Sequence, residues 1–171
     1  MASSLQISGI RKAFGKGDKT VEVLKRINID DVDSDPVVQW NRWHQDALQG
    51  GVAEPNAMTL ATIGTDGIPD ARIVLVREAD QHGLAFYTNY QSAKSRQLDR
   101  TPTAAAVFPW LDLHRQVRVR GRVERVSGEQ SDEYFASRPR SSQLGAWASP
   151  QSEEIADRGQ LESLVVDFDE Q

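Results

Sequence analysis

The stretch Arg115 to Val126, RQVRVRGRVERV, alternates apolar and polar residues along most of its length. Val117, Val119 and Val123 fall on one parity, and Gln116, Arg118, Arg120, Arg122 and Glu124 on the other. A period of two belongs to a strand whose side chains point alternately to two faces, so one face should be buried and the other wet or functional. Such a strand needs neighbours, and the sequence supplies them. Ala57 to Ile63 reads as strand with Asp66-Gly67 as its turn, and Ala71 to Arg77 as a strand of branched residues. His82-Gly83 turns into a short strand from Leu84 to Thr88, and Thr103 to Trp110 is strand-like. Turns this short join antiparallel neighbours, because a parallel pair needs a crossover of a dozen residues or more.

Helices flank the strands. Asp35 can cap a helix opened by Pro36, with Val37, Trp40, Trp43, Ala47 and Leu48 at helical spacing and Gly50-Gly51 as the stop. Ser92 caps a short helix running to about Arg100. From about Gln130 the pattern is helical, with a break at Pro139. Ser149-Pro150-Gln151-Ser152 reads as the cap of a last amphipathic helix from Ser152 to about Phe168. The expected class is mainly β, an antiparallel barrel with peripheral helices. No strand leads through a glycine-rich turn into a long crossover helix, which excludes a dinucleotide-binding α/β fold. Residues 1–34 are polar and weakly periodic and read as a flexible arm; 35–171 form one domain.

Composition narrows the chemistry. None of the 171 residues is cysteine, which excludes disulfides, thiolate metal sites and thiol nucleophiles. The three histidines, at 44, 82 and 114, are too scattered for a histidine-rich metal site, and no metal is expected. The longest apolar run, around Ala104 to Val107, is too short to cross a bilayer, and the N-terminus lacks the apolar core of a secretory signal. A soluble, cytoplasmic protein is expected. The net charge of −5 argues against nucleic acid as a partner, although Arg115, Arg118, Arg120, Arg122 and Arg125 crowd together.

Four groups of residues could carry chemistry. Tyr87-Thr88-Asn89 ends a strand just before Ser92 and Lys94 open a helix. Helix N–H groups, a hydroxyl and an ammonium together suit phosphate, although an ordinary capped helix would look the same. Arg72 and Arg77 lie five apart on one strand, so they face opposite sides. An arginine among apolar residues needs a partner, either an anionic ligand or a buried Asp or Glu. Gln116 could hydrogen-bond a heterocycle, while Arg120, Arg122 and Arg125 read as a solvated face or a subunit interface. Tyr134 and Arg138, four apart, share a helix face. Pro139 leaves Arg138, Arg140 and Ser142 at a junction suited to a phosphomonoester, or to surface salt bridges. No general base, metal cluster or nucleophile triad accompanies these sites, a pattern that fits a phosphorylated cofactor acting on a phosphorylated substrate.

The segments RIVLVR (72–77), FYTN (86–89), FPW (108–110), RQV (115–117), YFASRPRSSQLGAW (134–147) and PQS (150–152) together resemble the pyridoxine/pyridoxamine 5′-phosphate oxidase family. The resemblance runs in order from about Asp35 to Leu164, and the SRPRxSQxGAW stretch is its most specific part. It implies an FMN-binding split β-barrel, homodimeric, with FMN at the dimer interface. The implied activity is oxidation of pyridoxamine or pyridoxine 5′-phosphate to pyridoxal 5′-phosphate with O2 as acceptor, the flavin carrying the chemistry. The alternative is a split-barrel protein that binds FMN or pyridoxal phosphate without oxidising anything. Carried over by position, the cofactor residues are Arg72, Ile73, Val74, Leu75, Val76, Arg77, Tyr87, Thr88, Lys94, Gln116, Gln151 and Ser152. The substrate phosphate falls to Tyr134, Arg138 and Ser142 with Arg77. Arg77 stands where the family usually has lysine, and Ala93 where it usually has a basic residue. The family also continues past the position of Gln171, with further strands, a tryptophan and an Arg-x-His pair. A chain ending here is expected to leave an unpaired sheet edge and exposed apolar surface.

Overall fold

The computed structural model describes residues 10–14, 21–27 and 32–169. The chain divides into two compact units, Met1–Asp46 and Ala47–Gln171. In the first, strands β1 (Ile10–Phe14) and β2 (Val21–Ile27) pair antiparallel within the stretch read as an arm. The remainder of that stretch, up to residue 31, lies outside the described residues. Helix α1 (Pro36–Gln49) spans the division and starts as expected, with the Asp35 carboxylate accepting from the Val37 amide at 2.8 Å.

The second unit is built on one antiparallel sheet. Its strands are β3 (Ala57–Ile63), β4 (Pro69–Asp80), β5 (Gly83–Phe86), β6 (Thr103–Trp110) and β7 (Arg115–Arg122), in the order β5-β4-β3-β6-β7. The β3–β4 turn requires glycine at Gly64, where a Cβ would meet the Ile68 carbonyl oxygen at 2.8 Å. Alternation then separates two faces. Met58, Leu60 and Thr62 of β3, Val76 of β4, and Ala106, Phe108 and Trp110 of β6 are buried on one. Burying Met58, Leu60, Val76 and Phe108 stabilises the fold by about 1.5–3 kcal/mol each relative to leaving them in water. Trp110 also donates its indole N–H to the Pro55 carbonyl at 3.0 Å. The opposite face carries Thr59, Ala61, Ile73, Leu75, Ala105 and Val107, and Ile73 is 63% exposed there.

Helix α2 (Ala93–Arg100) meets the buried face through Gln97, and α3 (Gly128–Ser137), α4 (Arg140–Ala148) and α5 (Arg158–Asp169) follow the sheet. Among the described residues no helix is long and apolar enough to cross a membrane.

Several expectations need correction. Strand β7 ends at Arg122, four residues early, and Val119 is 38% exposed, so the buried face does not extend along it. As the last strand of the sheet, β7 has a neighbour on one side only, which removes the packing that alternation anticipates. Strand β5 stops at Phe86, leaving Tyr87 and Thr88 beyond the ladder, while β4 runs on to Asp80. The last helix begins at Arg158, not Ser152. Its cap is Asp157, whose carboxylate accepts from the Gln160 amide at 2.9 Å, and Ser149 to Ser152 cap nothing there. Arg138 is the C-cap of α3 with extended backbone angles, so it has left the helical face that bears Tyr134.

Candidate functional site

The exit of β5 organises two clusters, because Tyr87 and Thr88 are consecutive and turn to different partners. Thr88 belongs to the first. The Lys94 ammonium donates to Thr88 Oγ1 at 3.0 Å, to Gln151 Oε1 at 3.0 Å and to Ser92 Oγ at 3.3 Å, and Thr88 also donates to Gln151 at 3.1 Å. Ser92 is fully buried and caps α2, accepting from the Ser95 amide. Lys94 is 7% exposed, yet its partners are neutral oxygens and among the described residues no carboxylate pairs with it. Burial, and then the positive charge of Arg72, hold its pKa below the ordinary lysine value. A buried ammonium over a helix N-terminus, held by neutral groups, has the chemistry of an anion cradle. The donors fit the phosphate of a flavin mononucleotide. Ala93 opens the same helix and adds no charge.

The second cluster gathers around Tyr87. The Tyr87 and Tyr134 rings stack with centroids 3.7 Å apart and planes 8° from parallel. Arg77 lies with its guanidinium carbon 6.0 Å from the Tyr134 centroid. Tyr87 donates its hydroxyl to Glu78 Oε1 at 2.8 Å, and Gln130 of α3 donates to Glu78 Oε2 at 2.8 Å. Desolvation first, and then the Glu78 carboxylate, push the Tyr87 phenol up to about 12. The polar head groups of Arg77, Tyr134, Arg138 and Ser142 have no hydrogen-bond partner among the described residues. Arg138 rests its guanidinium carbon 5.9 Å from the Phe135 centroid, and its carbonyl accepts from Gln143.

Arg72 and Arg77 meet different partners. The Arg72 guanidinium is held by Asp70, Thr62 and Gln97, and the Gln97 amide in turn donates to Asp70 at 3.0 Å. The partner is therefore an aspartate, but an exposed one supported by a buried threonine and glutamine. The Gln97 amide, then the Arg72 charge acting against desolvation, keep the Asp70 carboxyl below its usual value. Ile73, Val74, Leu75 and Val76 run between the two arginines, with Ile73 and Leu75 on the open face and Val74 and Val76 on the other. Gln116 sits opposite Pro109 on the open face, away from α2, and is not gathered with Lys94. Ser152 is exposed beside Gln151, with a left-handed φ of 71° that costs a non-glycine residue energy. Arg122 pairs with Glu124, and Arg125 grips Asp99 while lying over Tyr90, in line with a solvated face.

Glu78, Gln130, Asp70, Thr62 and Gln97 were not legible as site residues. Glu78 escapes because the β4–β5 register slips: Val76 faces Phe86 and Glu78 faces Ala85, leaving Arg77 as an extra residue. That bulge brings two consecutive side chains to one tyrosine pair, which strict alternation forbids.

A family model described as pyridoxamine 5′-phosphate oxidase matches residues 44–170. The chain belongs to this family. A pyridoxine/pyridoxamine 5′-phosphate oxidase from Cupriavidus pinatubonensis is 52% identical over 163 residues, covering 95% of this chain and 73% of the relative. One from Trichormus variabilis is 50% identical, covering 88% of this chain and 69% of its own length. Among solved structures, PhzG from Burkholderia lata, crystallised with tetrahydrophenazine-1-carboxylic acid, has a TM-score of 0.77 at 29% identity, covering 81% of this chain and 69% of that one. An FMN-binding, pyridoxamine 5′-phosphate oxidase-related protein from Nostoc punctiforme shares the fold with a TM-score of 0.58 at 21% identity, covering 77% of this chain and 73% of that one. The antiparallel sheet with flanking helices is thus the split-barrel architecture of the pyridoxamine 5′-phosphate oxidase family.

Proposed function

We propose that this chain is an FMN-dependent oxidoreductase that converts pyridoxamine or pyridoxine 5′-phosphate to pyridoxal 5′-phosphate. The observation that carries the reading is the pairing of two anion-ready clusters on consecutive residues, Thr88 with Lys94 and Gln151, and Tyr87 with Tyr134 and Arg77. In this reading Lys94, Thr88, Ser92 and Gln151 hold the FMN phosphate, with the α2 N–H groups behind it. Arg77, Tyr134, Arg138 and Ser142 receive the substrate phosphate, and their uncommitted donors are the support for that role. Bound FMN would supply the two-electron acceptor for the C4′ hydride, with O2 reduced to H2O2; the alcohol substrate loses its hydroxyl proton to give the aldehyde, and the amine substrate reaches it by hydrolysis with release of ammonia. The chain itself binds and orients; no side chain of either cluster is poised as a general base. Arg72, its guanidinium steadied by Asp70, Thr62 and Gln97, stays among the cofactor residues of this reading, on the strand that would lie against the flavin.

A homodimer completes the reading. Gln116 and Ile73 occupy the open sheet face while Lys94 lies by the covered one, so one chain alone offers the two sets to different sides. In this reading a second copy supplies its own Gln116 and 72–77 strand to the flavin that Lys94 anchors here.

The test is the visible spectrum of the purified protein after FMN loading and desalting, followed by oxygen uptake with pyridoxamine 5′-phosphate. Retained flavin with oxygen uptake is expected. Retained flavin without uptake would leave a binding protein, or a flavoenzyme for another substrate as the phenazine relative suggests. A colourless protein would refute the cofactor assignment.

A further inference from the structure

The β4 bulge delivers a carboxylate to the centre of the second cluster, and none of the roles above uses it. Glu78 accepts from the Tyr87 hydroxyl with one oxygen and from the Gln130 amide with the other, each at 2.8 Å. Gln130 lies in the first turn of α3, the helix that carries Tyr134 and ends at Arg138. Tyr87 lies flat against Tyr134. Three elements, β4, the β5 exit and α3, therefore meet through one side chain. We propose that Glu78 is a positioning residue: it locks the Tyr87–Tyr134 stack and with it the placement of the substrate-phosphate donors Tyr134 and Arg138 against the cofactor side of the site. This inference rests on the functional reading above for what the donors bind, but not for the clamp itself.

Two effects of the carboxylate oppose each other. Its charge repels a phosphate dianion, whereas its hydrogen bonds order the donors that attract one. The clamp dominates if both of its arms count as charge-assisted hydrogen bonds, which are individually stronger than a screened charge near solvent. Glu78→Gln separates the two. The amide oxygen still accepts from Tyr87, and a flip of the Gln130 amide restores the second arm, while the charge is gone. Glu78→Ala removes charge and arms together.

The experiment uses the full chain loaded with FMN, with pyridoxal 5′-phosphate as equilibrium probe and pyridoxamine 5′-phosphate as substrate. Glu78→Ala should raise Kd and KM by about tenfold, the scale of one charged hydrogen bond, with kcat nearly unchanged and FMN retained. Glu78→Gln should stay within about threefold of the parent, the residue of an exposed charge effect. A fall in Kd in both variants would assign Glu78 to charge repulsion and overturn the clamp; an equal rise in both, or no change in Glu78→Ala, would overturn it too. Near-ultraviolet circular dichroism of the unliganded protein supplies a readout independent of substrate. The coupled tyrosine signal should fall in Glu78→Ala and persist in Glu78→Gln, and an unaltered signal in Glu78→Ala refutes the clamp. If the parent protein binds no pyridoxal phosphate, the functional reading fails while the spectrum still decides the clamp.

Discussion

Replacing Lys94 by methionine separates a ligand-binding lysine from a framework lysine. Methionine keeps most of the length and apolar stem but removes the ammonium. In the folded chain the ammonium is 7% exposed and donates only to Thr88, Ser92 and Gln151. Its charged form is disfavoured there by burial and by Arg72, so removing it relieves a cost as well as losing hydrogen bonds. The three acceptors do not become orphans: Ser92 still accepts from the Ser95 amide, and Thr88 still donates to Gln151. The net change in stability should therefore stay within about 1 kcal/mol, a shift of roughly 2–4 °C in Tm for a chain of this size. FMN binding should respond differently. A charged hydrogen bond to phosphate is worth about 1.5–3 kcal/mol, which weakens Kd by roughly ten- to a hundredfold. Titration of FMN by fluorescence quenching gives the affinity and a melt of the flavin-free protein the stability. Unchanged FMN affinity refutes the cradle. A weakened affinity accompanied by a fall of roughly 10 °C or more, far above what the local hydrogen bonds supply, would show that the lysine holds the fold and that the binding loss is secondary.

Arg138→Ala should weaken pyridoxal 5′-phosphate binding by about 1.5–3 kcal/mol, because its guanidinium has no acceptor among the described residues and only Phe135 beneath it; equal affinity in an equilibrium titration would place the side chain outside the subsite. Alkaline stability should report Tyr87. Its folded pKa is raised from 10.0 to about 12, so the neutral phenol contributes stability that is fully present below pH 10 and lost as pH rises through about 12. Denaturant midpoints of the parent should therefore fall relative to Tyr87→Phe between those pH values, and a constant difference across the window would contradict the assignment.

Most of the sheet could be read from sequence because its signals are local. Local apolar runs bounded by turn and helix signals place β3 and β6 at their observed ends, and Ser92 caps α2 as its position suggests. What failed was non-local. Arg115 to Val126 alternates as if one side were packed, but packing depends on how many neighbours the strand has, and β7 has one. Ser149 to Ser152 offers capping residues, yet Asp157 caps the helix because the intervening chain is drawn to Lys94 through Gln151. The site divides the same way. Lys94 and Thr88 are six residues apart and visible as a unit. Gln97, which completes the Arg72 network from another element, is not. Glu78 is invisible for a sharper reason: a bulge breaks the parity rule by which strand residues are assigned to faces.

The strand order also sets a sequence of assembly. β3 meets β4 across a short turn, but it meets β6, Thr59 opposite Val107, only after β4, β5 and α2 have been laid down. Loop-closure entropy makes the first pairing fast and the second slow. The β3–β4–β5 meander, carrying Arg77, Glu78, Tyr87 and Thr88, can thus form as an early local unit. Tyr134 comes later, and Gln151, 57 residues beyond Lys94, later still. The anion cradle closes only when the last of these segments docks. An anion bound across it therefore ties the late-arriving part of the chain to the early one, so that ligand loading should slow unfolding chiefly by retaining the segment that docks last.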